Sequence, residues 1–156
     1  MQLKALHNMN SIPFRIANIT IDSFSFDNQF KASGDASIEI VSSFSFGVDI
    51  KKSMIKCYCE YKYLFNEKEI LLLKLSSFFE IEPEPFKDFY NSKGDFAINK
   101  DFLRHMATIS VGTARGVILT KSENTPIANI ILPPINLMET IKDDFIIPNA
   151  GVIDKK

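Results

Sequence analysis

Between positions 53 and 65 every second residue belongs to one set: Ile55, Cys57, Cys59, Tyr61, Tyr63 and Phe65. Lys56, Tyr58, Glu60, Lys62 and Leu64 fill the places between them. A period of two is the mark of a strand with one buried and one wet face. This stretch therefore commits the chain to a sheet, and its neighbours extend the pattern. Asn66-Glu67-Lys68 is a short polar hairpin connection, after which residues 69–82 form the next strand, antiparallel to the first. Upstream, residues 37–48 alternate as well and set Phe44 and Phe46 on one face. From Phe14 the pattern is again extended, but Ile19 and Ile21 share one parity and Phe24 and Phe26 the other. One strand presents both pairs on the same face only if it bulges or bends near Asp22 and Ser23.

Pro83 and Pro85 stop the sheet because neither donates a ladder hydrogen bond. Residues 86–98 read as a connection with aromatic anchors. A single long helix follows. Asn99 is suited to cap it, Asp101 places negative charge at its positive end, and apolar residues recur at three- and four-residue steps to about Lys121. Gly112 and Gly116 lie inside, each costing roughly 1 kcal/mol relative to alanine, which implies that something packs closely against the backbone there. Thr125-Pro126 ends the region. Residues 127–136 then form an extended apolar crossing that Pro133-Pro134 keeps out of any helix. A short second helix is expected over 137–145, capped by Asn136, with Leu137, Met138, Ile141 and Phe145 inward. The reading is α+β: a four-stranded antiparallel sheet, a long helix, an apolar crossing and a short second helix. It comprises a flexible arm over 1–13, one domain over 14–145 and a flexible tail over 146–156.

With 46% hydrophobic and 24% charged residues the chain has an ordinary globular composition, and its formal net charge of -1 gathers neither nucleic acid nor anionic membrane. No apolar run reaches the ~20 residues of a membrane-spanning helix, and no secretory segment is visible, so the expected setting is the cytoplasm. Cys57 and Cys59 point to one face with poor geometry for a mutual bridge and are read as reduced. They have no second pair or nearby histidine for zinc, and His7 and His105 find no companions. Glu80, Glu82 and Glu84 read as a solvated strand end, and Gly-rich phosphate loops are absent. No catalytic residue, metal ligand or cofactor is assigned. The oddity is fourteen Phe with no Trp. Phe24, Phe26, Phe44, Phe46, Phe78 and Phe79 give the strands more apolar surface than one helix hides, and the remainder must meet a subunit or a ligand.

Thr113-Ala114-Arg115-Gly116, Leu132-Pro133-Pro134-Ile135-Asn136 and Phe24-Ser25-Phe26-Asp27 resemble, in kind and order, signature elements of SecB and the SecB-like protein-export chaperones. The resemblance implies an ATP-independent holdase that binds unfolded or secretory polypeptides in apolar grooves, for export or for a dedicated client such as an antitoxin. It implies a client groove lined by Phe24, Phe26, Phe44, Phe46, Leu132, Ile135, Leu137 and Ile141. It also implies a dimer or tetramer whose long helices meet around Gly112, Arg115 and Gly116. Asp27 matches one family carboxylate that docks a translocase motor, but Leu72 or Lys74 stands where a second is expected, and the long C-terminal helix is missing. Two other readings are a hot-dog acyl thioesterase, which wraps a sheet around one helix, and a non-catalytic interaction module. The thioesterase fits less well because the long helix follows the strands and carries no evident catalytic acid or amide.

Overall fold

The computed structural model describes residues 12–34 and 37–151, so most of the expected N-terminal arm, His7 and the last five residues lie outside the described residues. Four strands come first: β1 (Phe14–Phe26), β2 (Ile38–Asp49), β3 (Met54–Phe65) and β4 (Lys68–Ile81). They form one sheet in the order β1-β4-β3-β2, with every neighbouring pair antiparallel. The β3–β4 hairpin closes through Asn66 and Glu67 alone, both at positive φ (49° and 63°). That is the backbone of the two-residue turns whose twist matches the flanking strands.

The break of parity in the first strand is resolved by two register shifts against β4, between Ile16 and Asn18 and between Ile21 and Ser23. The second is the expected one, at Asp22. Ile16 lies opposite Phe79, Ile21 opposite Leu75 and Phe24 opposite Leu73, so the apolar residues of β1 keep to one face. Asp22 is fixed there, its carboxylate accepting from Ser76 Oγ at 2.5 Å and Thr20 Oγ1 at 2.9 Å.

After the sheet come a turn of helix, α1 (Pro83–Phe86), a 3-10 turn over Lys87–Phe89 and a short strand β5 (Phe96–Ile98). The ring centroids of Phe86 and Phe89 lie 5.0 Å and 5.5 Å from that of Phe96, so the connection has its own aromatic anchor. The long helix α2 (Lys100–Lys121) follows with the expected limits. Asn99 Oδ1 accepts from the Phe102 amide at 2.8 Å, and Asp144 Oδ1 accepts from the Lys100 amide at 2.8 Å, so two of its four unpaired amino-terminal amides are satisfied by side chains.

The helix buries Leu103, Met106, Ala107, Ser110, Val111, Ala114 and Ile118 against the face of β3 and β4 that carries Cys57, Cys59, Tyr61, Tyr63, Leu73 and Leu75, all at 0% exposure. Each large aliphatic side chain buried this way contributes about 1.5–3 kcal/mol. Two apolar clusters result: one around Tyr61, Leu73 and Ile118, the other around Phe79, Phe96 and Met106. The Ser110 hydroxyl, 3.0 Å from that of Ser77, joins helix to sheet through a buried polar contact.

Two expectations are corrected beyond the helix. The second helix, α3 (Leu137–Thr140), is a single turn with no buried residue, far shorter than the 137–145 expected. Phe145–Ile147 then forms a strand, β6, which pairs antiparallel with β5. The boundary drawn after residue 145 therefore falls inside a strand, and Ala150, at 3% exposure, is packed against the body. The pattern missed this because each three-residue strand owes its form to a partner far along the chain. Among the described residues no helix is long and apolar enough to cross a membrane.

Candidate functional site

A groove runs beside the edge strand β2. Alternation turns Phe44 and Phe46 to the helix-bearing face of the sheet, but α2 lies over β3 and β4, so both rings stay only partly covered. Thr140, Ile141, Lys142, Asp143, Asp144 and Phe145 form the opposite wall, with Leu103 at the base of a cavity of about 220 Å3.

That wall has little core of its own. A four-residue helix falls well below the length that is stable alone, and three contacts from the first turns of α2 hold it. Arg104 Nε donates to the Ile141 carbonyl at 3.0 Å and a terminal nitrogen donates to the Met138 carbonyl at 3.3 Å, closing the carboxyl end of α3. Asp101 holds the other arm of the guanidinium at 2.9 Å. Asp144, on the wall itself, is the residue that caps Lys100.

Arg115, on α2 about three turns later, does the same for the crossing. Its Nε donates to the Leu132 carbonyl at 2.8 Å and a terminal nitrogen donates to the Pro133 carbonyl at 3.2 Å. Its guanidinium is thus engaged within the chain. Arg104 escaped the sequence reading; its position on the Arg115 flank of the same helix was the available signal.

The expected groove residues separate into three groups. Phe44, Phe46 and Ile141 line the cavity together, with Ile135 and Leu137 partly buried among the apolar residues around Phe44. Phe24 and Phe26, their ring centroids 6.0 Å apart, sit on β1 at the other edge of the sheet, with β3 and β4 between, and the Lys121 ammonium lies 5.6 Å from the Phe24 ring. Leu132, at 1% exposure, is core. At Gly112 and Gly116 a β-carbon would meet nothing within 4 Å among the described residues, so the close approach expected there is not made by them. The β1 side is nevertheless rich in uncovered apolar surface: Ile16 is 46% exposed, Ile19 37% and Ile21 43%, all turned to the helix side of the sheet.

The buried polar groups near the groove are held neutral. Burial pushes the Cys57 thiol up to about 11 and the Cys59 thiol up to about 12. It raises Tyr63 to about 12 and Tyr61 further still. Among the described residues neither phenol hydroxyl has a hydrogen-bond partner. Such groups neither attack nor shuttle protons near neutral pH, and the groove sets Phe44, Phe46 and Ile141 beside the polar side chains of Thr140, Lys142, Asp143 and Asp144. His105 packs edge-on against Phe14 at 5.6 Å. Asp27 is tied to Lys68 at 2.7 Å, and that bond holds its carboxyl below the usual range.

No protein-family model matches the chain, and no curated protein does. Solved structures similar to it include the Mycobacterium tuberculosis Rv1957 SecB-like chaperone in complex with a ChAD peptide from the Rv1956 HigA1 antitoxin. That match has a TM-score of 0.48 and 8% identity and covers 79% of this chain and 91% of that one. A protein of unknown function from Streptococcus agalactiae is similar at a TM-score of 0.38 and 9% identity over 72% of this chain and 90% of that one. Both likenesses concern the arrangement of the backbone.

Proposed function

We propose that this chain is an ATP-independent holdase that keeps non-native polypeptide segments soluble by covering their apolar side chains. The observation that carries the reading is the groove between β2 and residues 140–145, where Phe44, Phe46 and Ile141 converge on a cavity walled by backbone that two side-chain clamps hold in place. A half-covered aromatic pair beside a fastened wall of largely irregular backbone suits ligands that share apolar character without sharing a sequence. The signature elements around Arg115 and Leu132 support the same conclusion, export and a dedicated client such as an antitoxin being its two settings.

The chain works as a homo-oligomer, a dimer or tetramer, which covers Ile16, Ile19 and Ile21 and the open glycine face of α2. No covalent step is assigned. The test is to unfold reduced α-lactalbumin in the presence of the purified protein. Slower aggregation and a complex on size exclusion are expected; light scattering unchanged by equimolar protein, with no co-eluting client, sinks the reading.

A further inference from the structure

The face of the sheet turned away from α2 carries one phenylalanine, Phe78, the only one in β1–β4 that belongs to neither apolar cluster of the core. Beside it stands a cation without a counter-ion. Near the β2–β3 turn, Asp49 and Glu80 already have cationic partners, Lys52 at 3.9 Å and Arg15, and further along Glu60 binds Lys62 at 2.9 Å and Lys74 at 3.6 Å. Among the described residues no carboxylate pairs with Lys56. Its ammonium lies instead 5.8 Å from the centre of the Tyr58 ring and 5.7 Å from that of Phe78.

Gly47, Lys56 and Phe78 are register partners across β2, β3 and β4. A β-carbon at Gly47 would meet nothing within 4 Å among the described residues, so the missing side chain leaves a notch beside Lys56. The notch is a cavity of about 310 Å3 whose lining includes Gly47, Lys52, Met54, Lys56 and Phe78. We propose that it binds a small aromatic carboxylate, which pairs with the Lys56 ammonium and lays its ring on Phe78 and Met54. The half-buried apolar floor takes the ring, and the unneutralised ammonium selects an anion over a neutral isostere. The volume lies at the small end of the roughly 300–1,000 Å3 of ligand pockets, which suits a free small molecule better than a folded partner. This site is on the opposite face of the sheet from the groove of Phe44 and Phe46, and it stands independently of the holdase reading.

The probe is 2-naphthoate, compared with the neutral 2-naphthamide and followed through the backbone amide shifts of the full chain. Naphthoate should move the amides of Gly47, Lys56 and Phe78 saturably, and naphthamide should bind at least about fivefold more weakly, as expected for a part-exposed charged contact. Lys56→Gln should weaken naphthoate by a similar factor and leave naphthamide within about twofold. Gly47→Ile, which suits a strand and occupies the notch, should weaken both by at least about tenfold. No saturable shift up to about 5 mM, equal binding of acid and amide, or shifts centred on Phe44 and Ile141 overturn the site, while the holdase reading stands or falls on α-lactalbumin alone. A peptide ending in glutamate and phenylalanine that binds more than about tenfold tighter than naphthoate makes a protein terminus the occupant and also overturns the proposal.

Discussion

Arg115 Nε donates to the carbonyl oxygen of Leu132 at 2.8 Å, so the long helix holds the crossing through main chain rather than through any crossing side chain. A charged donor serving two otherwise free carbonyls is worth a few kcal/mol at most. Arg115→Met should lower unfolding stability in urea by about 1–3 kcal/mol. If Arg115 mattered only at a subunit boundary, the loss would vanish on dilution to monomer; it is expected to persist.

Phe46 has a ring only partly covered in the single chain. Phe46→Ser should remove about 1–2 kcal/mol of burial and should leave the fold cooperative. Its larger effect is expected on holding, seen as a several-fold rise in the amount of protein needed to halve client aggregation. Phe24→Ser, on the other edge, should leave that amount within about twofold while changing association. Equal effects of the two on holding would merge what the fold separates.

Cys57 and Cys59 are at 0% exposure, with ionisation pushed up to about 11 and 12. In native protein at pH 8 neither should react with a thiol reagent within minutes, and both should react at once in denaturant. The raised values also fix a sign. The neutral thiols are favoured in the folded state, so their contribution is complete below the unfolded value of about 8.5 and declines as pH rises towards 11 and 12. A denaturation midpoint that rises between pH 9 and 11 contradicts this assignment.

Asp27 shows the opposite sign. Its carboxyl is lowered by the Lys68 hydrogen bond, so its contribution is present above the unfolded range of about 3.9 and lost as pH falls through the native value. Asp27→Asn should therefore reduce stability at pH 6 and narrow the gap to wild type at pH 2, measured by thermal unfolding.

Gly112 and Gly116 face open space. Gly112→Ala should stabilise the isolated chain by about 0.5–1 kcal/mol by removing backbone freedom. Gly112→Leu together with Gly116→Leu should lower the mass found by sedimentation if a second helix packs there. An unchanged mass would remove the glycines from the interface.

How legible these features were follows the range of the forces behind them. The limits of α2 were set by neighbours in sequence, Asn99 at one end and the loss of apolar spacing at the other, and the bulge at Asp22 could be read from parity because one strand must serve one core. β5 and β6 could not, since Phe96 becomes a strand residue only through Ile147. Phe44 and Ile141 were both named for the site, and they meet because Arg104 and Asp144 fasten the wall to α2. Phe24 and Phe44 looked equivalent in sequence and differ in place, because strand order, not alternation, sends them to opposite edges.

The bulges of β1 also bear on solubility. Thirteen residues serve eleven partners on β4, and the surplus residues are Ala17 and Asp22. Deleting both would leave every apolar residue on its present face, although the buried Ser76 hydroxyl would lose its acceptor. The edge would, however, become straight, with isoleucines at 46%, 37% and 43% exposure along it, which is the form of strand that templates fibrils. Aggregation of such a double deletion, with folding intact, would show that this irregularity is kept for what it prevents.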